Sequence, residues 1–194
     1  MTTLIAVQGD GWAVAACDSR YSDDNQVYLA GGGAAKLSRV GDYLLGAAGD
    51  LRAINILSYL FQPPKPGLLF DSKLDRFFVR SFIPALRKCF EENGYAADDK
   101  GKASHGSIVL AVVNGVAYQV DSDYSWCRDA RGVYGFGTGG PYALGALSVL
   151  LPAEKTVQNT KKAVRKAVQI ASQYDIYTGG QICVFHQQSP ATQV

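Results

Sequence analysis

The sequence is poor in the residues that metal centres and proton relays most often use. Its only histidines are His105 and His186, so a histidine-rich metal site is excluded and a Ser-His relay would rest on one of two isolated candidates. The four cysteines, Cys17, Cys89, Cys127 and Cys183, are far apart and contain no Cys-x-x-Cys pair. They form neither a zinc pattern nor a disulfide framework and read as buried free thiols; no metal and no cofactor are expected. No apolar run reaches the ~18 residues of a membrane span, and the start lacks the basic-then-apolar order of a secretory signal. The chain therefore reads as cytoplasmic and without a membrane partner. A net charge of +2 is too small to call for nucleic acid, and the one basic cluster, Lys161, Lys162, Arg165 and Lys166, reads as the wet face of a helix. No linker, short repeat or low-complexity segment divides the sequence.

What remains is an ordinary globular composition: 194 residues, 47% of them hydrophobic, enough for one domain with a full core. Residues 1–194 read as that domain, with the polar stretch 187–194 as a frayed tail. Residues 2–7 and 12–16 are β-prone runs around Gly9-Asp10-Gly11, a hairpin signal. Residues 36–40 and 43–48 flank Gly41-Asp42 as a second hairpin, and the two are expected to make most of a first sheet. From Asp50 the period turns helical, with Ala53, Ile54, Leu57, Leu60 and Phe61 on one face until Pro63. A second helix is expected from Asp71 as its cap to near Gly94, kinked at Pro84 and carrying Leu74, Phe77, Phe78, Leu86 and Phe90 inward. Residues 97–104 read as a loop. Asn114-Gly115 joins two strands, 107–113 and 116–120, that begin a second sheet. Helices over 142–151 and 155–174 and a last strand over 181–185 complete the pattern. Two sheets packed face to face, with helix pairs outside, bury every amphipathic element.

The chemistry gathers at strand ends. Thr2 opens the first strand, Asp18 closes the second and Lys36 opens the third. Removal of Met1 would give Thr2 a free α-amine that titrates near ~8, a base beside a hydroxyl nucleophile. Lys36 can supply positive charge, Asp18 can hold it, and the amide of Gly49, ahead of a helix, can serve an oxyanion. With Met1 attached the Thr2 nitrogen is an amide and no base.

Thr2-Thr3, Cys17-Asp18-Ser19-Arg20, Lys36, the loop Gly46 to Asp50, Gly137-Thr138-Gly139-Gly140-Pro141-Tyr142-Ala143 and Asp175-x-x-Thr178-Gly179-Gly180 occur in the order seen in proteasome β subunits and HslV. Over nearly its whole length the chain resembles this family of N-terminal nucleophile hydrolases. The resemblance implies an α+β, four-layer αββα sandwich. It implies Thr2 as nucleophile, Asp18 and Lys36 as its supporting pair, Gly49 as oxyanion donor, and Thr138, Asp175 and Thr178 around the N-terminal amine. Lys36 lies two residues later than the family spacing, which implies an insertion around Gly31 to Gly33. Thr138 and Thr178 stand where active members usually carry serine; each keeps the hydroxyl and adds a methyl.

By loop position Tyr21, Ala47 and Leu51 line a neutral, apolar pocket for the residue before the cut. The family also implies a homo-oligomeric ring of six or seven subunits, stacked on a second ring, that admits unfolded protein or peptide and works with an ATPase unfoldase. The helix from Asp71, with Phe77, Phe78 and Phe82, is either a ring contact or a deeply buried helix. The expected activity is threonine endopeptidase. Two alternatives stay open: an inactive ring-forming or scaffolding subunit, and hydrolysis of a small-molecule amide by the same apparatus.

Overall fold

The structure is a computed structural model that describes residues 2–22, 26–30, 35–99 and 102–190. Met1, Gly31 to Gly33 and residues 191–194 of the expected frayed tail, on which three of the expectations fall wholly or in part, lie outside these residues.

Strand β1 (Leu4–Gly9) turns back through Asp10-Gly11 into β2 (Trp12–Cys17), pairing Leu4 with Cys17 and Gly9 with Trp12. After the short antiparallel pair β3 (Arg20–Ser22) and β4 (Val27–Leu29) comes a second hairpin, β5 (Leu37–Val40) and β6 (Tyr43–Ala48). Helix α1 (Leu51–Tyr59) follows, capped by the Asp50 carboxylate on the Arg52 amide. Helices α2 (Asp71–Phe77) and α3 (Ile83–Glu92) are joined by a widened turn at Phe78–Phe82. The segment expected as a loop holds a small pair, β7 (Ala97–Asp99) and β8 (Lys102–Ser104). The hairpin β9 (Ile108–Val113) and β10 (Val116–Val120) turns at Asn114-Gly115, whose φ values of 50° and 76° suit a tight turn between twisted strands. Strands β11 (Trp126–Cys127) and β12 (Val133–Phe136) precede helices α4 (Gly140–Leu150) and α5 (Val157–Tyr174) and the final strand β13 (Cys183–Gln188).

The sheets are antiparallel, in the orders β12-β1-β2-β13 and β11-β10-β9-β6-β5. The second hairpin therefore does not join the first, as the sequence suggested; it pairs with β9 in the other sheet. Local turns fix each hairpin, but neighbours between hairpins are set by long-range packing that leaves no local trace. The edges of the first sheet come from β12 and β13.

Three apolar layers hold four layers of structure. Leu4, Ala6, Ala15 and Cys17 of the first sheet meet Leu44, Leu110 and Val112 of the second in an inner core. The opposite face of the first sheet, with Ile5, Val7 and Val14, packs on Leu147, Val164 and Val168 of α4 and α5. The opposite face of the second, with Tyr43, Leu45 and Val109, packs on Ile54, Leu57, Phe78, Phe82 and Phe90. This is the expected αββα sandwich. Strands β1, β2, β6 and β9 are buried on both faces, which is why they read as unbroken apolar runs rather than alternating ones.

The kink before Pro84 takes a specific form. The Ile83 N–H bonds to the Phe78 carbonyl five residues back, a π-type turn. Proline lacks an N–H and its ring would strike the carbonyl four residues earlier in a regular helix, so a widened turn relieves both defects. Phe78 and Phe82 stack at 4.4 Å, and Phe78 stacks on Tyr118 at 4.0 Å. Both phenylalanines are fully buried, so of the two readings for this helix the buried one holds for them. Truncating either ring would cost about 3–5 kcal/mol. Asp71 is not a cap: the helix begins there with Phe70 at the cap position and no side-chain bond.

The C-terminal strand runs further than expected. Gln187, placed by sequence in a frayed tail, is buried; its Nε2 donates to the Asp42 and Val112 carbonyls at 2.6 and 3.2 Å, and its Oε1 accepts from the Gly115 amide at 3.1 Å. A polar side chain here satisfies turns of the opposite sheet, a role composition cannot reveal. The thiols also divide: Cys17 and Cys89 are buried, Cys183 is half-buried and Cys127 is exposed. Lys161, Lys162, Arg165 and Lys166 do lie on the exposed face of α5. Among the described residues no helix is long and apolar enough to cross a membrane.

Candidate active site

Asp18 follows the last residue of β2 and is fully buried, so its carboxylate must find donors within the protein. It has four. Oδ1 accepts from the Thr3 amide at 2.9 Å and from Lys36 Nζ at 2.8 Å; Oδ2 accepts from the amides of Arg20 and Gly179 at 3.2 and 3.0 Å. Lys36 enters just before β5 and is itself fully buried, so the ion pair is shielded from water. Burial outweighs the attraction of Asp18 and leaves the Lys36 ammonium more acidic than an ordinary lysine. Its Nζ also lies 5.0 Å from the centre of the Tyr21 ring, and burial pushes the Tyr21 hydroxyl well above its usual pKa.

A second polar group closes from the other side. Asp175, the residue after α5, accepts from the Thr138 and Thr178 hydroxyls on Oδ2 at 2.7 and 2.6 Å, and Oδ1 accepts from the Tyr177 amide at 3.2 Å. The Thr178 proton is committed to Asp175, so the Thr3 hydroxyl, 2.5 Å from Thr178 Oγ1, donates to it. Thr3, Thr178 and Asp175 thus form a chain. Both threonines in the serine-like positions use their hydroxyls fully; the added methyls do not break the network.

Thr2 and Thr3 sit between these two groups. The Thr2 carbonyl accepts from the Gly139 amide at 3.4 Å, while the Thr3 amide is held by Asp18. The fit excludes side chains from the Gly137-Thr138-Gly139 turn: a Cβ on Gly137 would lie 1.9 Å from the Thr2 oxygen, and one on Gly139 would lie 1.8 Å from Thr3 Oγ1. Thr2 is buried and lies just ahead of β1 rather than inside it, as Lys36 lies just ahead of β5. Asp18, Lys36, Thr138, Asp175 and Thr178 are therefore joined by direct bonds to one another or to the Thr2-Thr3 backbone and side chains.

Gly49 occupies a turn between β6 and α1 with φ of +136°, a conformation only glycine adopts readily. Among the described residues nothing accepts from its N–H. Of the pocket candidates, Tyr21 packs partly buried against the outer core, Ala47 is fully buried in that core, and Leu51 is 42% exposed at the start of α1. Ala47 can only be a floor there.

Sequence reasoning missed Thr3, the Arg20 amide and the Gly179 amide. The signals were present as the Thr2-Thr3 doublet and the Gly179-Gly180 pair, but a backbone donor carries no residue-type signature. Among the described residues no group of three or more His, Cys, Asp or Glu side chains could hold a metal.

No family model matches the sequence. Among solved structures the chain is similar to Thiobacillus denitrificans BPH, with a TM-score of 0.77 and 24% identity over 97% of this chain and 100% of that one. The same protein in complex with epoxomicin superposes at a TM-score of 0.73 with 24% identity, covering 96% of this chain and 98% of that one. Eukaryotic HslV from Trypanosoma brucei gives 0.65 and 19% identity over 96% and 99%. This chain has the fold of HslV and BPH. The likeness read from six sequence motifs thus holds for the architecture, and the HslV-type fold accounts for why residues 130 or more apart converge on Thr2 and Thr3. What the convergent residues do is a separate question.

Proposed function

We propose that this protein is an N-terminal threonine peptidase, active once Met1 is removed. The observation that carries the reading is that the Thr2-Thr3 segment is gripped on one side by Asp18, which also holds buried Lys36, and on the other by the Gly139 amide and the Thr178 hydroxyl. In the reaction Thr2 Oγ1 attacks the substrate carbonyl and its freed amine accepts the hydroxyl proton. The Gly49 N–H stabilises the oxyanion, the Lys36 charge favours the developing alkoxide, and the proton passes to the leaving amine. Water, deprotonated by the same amine, then releases the acyl group. Thr138, Asp175 and Thr178 orient that amine. Peptides and unfolded chains are the substrates, cut after apolar residues that enter beside Tyr21, Ala47 and Leu51.

The alternative of an inactive scaffolding subunit rests on the methyls of Thr138 and Thr178 and on retention of Met1, of which the structure bears only on the methyls. Both hydroxyls reach Asp175, which favours the active reading. The resemblance further suggests a homo-oligomeric ring of six or seven subunits, served by an ATPase unfoldase.

BPH, one of the similar structures, is known in complex with epoxomicin. Epoxomicin is therefore the probe. Loss of Met1 lowers the intact mass by ~131 Da, and the processed protein should then form an epoxomicin adduct and cleave peptides, with both lost in Thr2→Ala because the hydroxyl is gone. A processed protein that neither reacts with epoxomicin nor cleaves peptide or unfolded protein would refute the proposal.

A further inference from the structure

We infer that Ser107, braced by Tyr95, is a positioning residue that fixes the Gly49-Asp50 turn and so aims the oxyanion donor. The inference rests on the peptidase reading. Ser107 lies just ahead of β9, is 4% exposed, and belongs to none of the motifs that drew attention in the sequence. Its Oγ accepts from the Asp50 amide at 3.0 Å and shares a 2.8 Å hydrogen bond with the Tyr95 hydroxyl.

The geometry explains why the turn needs a brace. Gly49 holds a φ of +136°, so its peptide planes have freedom that no side chain restricts. The space beside it is filled: a Cβ there would meet the Gly106 carbonyl and Ser107 Oγ, each at 2.6 Å. Gly49 is thus pressed against the Gly106-Ser107 backbone, and the next amide along is tied to Ser107. On the far side Asp50 caps α1 through the Arg52 amide at 2.8 Å. Asp50 is consequently held twice, its amide by the serine and its carboxylate by the helix, and this anchored neighbour, with the close packing of Gly49 on Gly106-Ser107, limits where the Ala48-Gly49 peptide that carries the donor N–H can lie. Tyr95 joins Ser107 from the segment after α3, and its ring packs edge-on against Phe90 at 5.0 Å. An oxyanion donor acts only if it is placed before the charge develops, and an ångström of drift is costly.

The test uses processed full-length protein, with active sites counted by epoxomicin so that only folded, competent sites enter kcat. Ser107→Ala should lower kcat about 10-fold or more while KM stays within about 2-fold, because the interaction is made in the transition state. Hydrogen exchange at the Asp50 amide should quicken about 10-fold in the same variant, since its acceptor is gone. Tyr95→Phe keeps the ring and should move both readouts in the same direction by about 3-fold, and it carries the test should Ser107→Ala not fold. A Ser107→Ala or Tyr95→Phe enzyme with wild-type kcat per titrated site, whatever its melting temperature, overturns the inference and leaves the peptidase reading intact. A wild type that fails to react with epoxomicin overturns both.

Discussion

Replacing Asp18 with Asn should be among the most destabilising polar changes in this protein. The substitution keeps shape and one acceptor but leaves the Lys36 ammonium fully buried without its partner at 2.8 Å. Removing one member of a buried pair costs about 3–5 kcal/mol. The charge has one escape, to lose its proton. Neutralising a lysine of ordinary pKa ~10.4 at pH 7 costs about 4.6 kcal/mol, which sets a ceiling on the charge contribution near the top of that range. For a chain of this size the loss corresponds to a drop of roughly 6–20 °C in Tm. The pH dependence has a definite sign. In the variant the folded Lys36 gives up its proton well below ~10.4 while the unfolded chain keeps it, so the unfolded state binds more protons in that window and stability rises with pH. The deficit against wild type should therefore shrink from pH 7 toward pH 10. Adding Lys36→Met removes the stranded charge and should recover most of the loss, leaving about 1–2 kcal/mol for the Thr3 or Gly179 amide that the single Asn oxygen no longer reaches, since the Arg20 amide keeps the Gly179 carbonyl at 3.0 Å. Urea unfolding of both variants across this pH range measures all three quantities. A single variant that loses under about 1 kcal/mol, or a deficit that does not narrow with pH, would show that Lys36 is not carried as a buried cation.

Gly139→Ala places a methyl 1.8 Å from Thr3 Oγ1 and 2.4 Å from Thr178 Oγ1, so it should destabilise by about 1–3 kcal/mol and spoil the site together; urea titration and epoxomicin labelling report the two effects. Cys183 stands opposite Cys17 in the first sheet, and the neighbouring Cys17 thiol brings its pKa down to about 6. Its alkylation should rise through that pH, well before that of Cys127, an exposed residue whose thiol is pushed upward by partial desolvation and by the carboxylates of Asp121 and Asp129. Cys17→Ala should move the Cys183 midpoint up, as peptide mass spectra after iodoacetamide will show. Because the folded thiol is the more acidic, its contribution to stability is full above the ordinary thiol pKa and gone below about 6.

The elements of the site were legible because each sits at a punctuation mark. Asp18 ends an apolar strand, Lys36 begins one, and Thr138 and Thr178 lie in glycine-rich turns, where polar residues stand out. Hairpins and helices were readable for the same reason, with boundaries off by a few residues. Sheet membership was not, because strands buried on both faces have no alternating pattern to say which neighbour they take. The π turn at Phe78 was foreshadowed only as a kink at Pro84. Thr3 and Gln187 escaped because a threonine near a chain start and a glutamine near a chain end look solvated, and only tertiary partners reveal otherwise. Ser107 carried no signal, since its task is to accept one amide proton.

The first sheet has a consequence for the order in which the protein can become itself. Its central hairpin is local, but Leu4 waits for Phe136 and Cys17 waits for Cys183, whereas the β5-β6 and β9-β10 hairpins need only nearby partners. Contacts of such separation close slowly and late. Thr138, Asp175 and Thr178 arrive on those same late segments, so a half-folded chain has its threonines at hand and no network to set them. On the peptidase reading proposed above, a nascent chain stays inactive until its last strand docks.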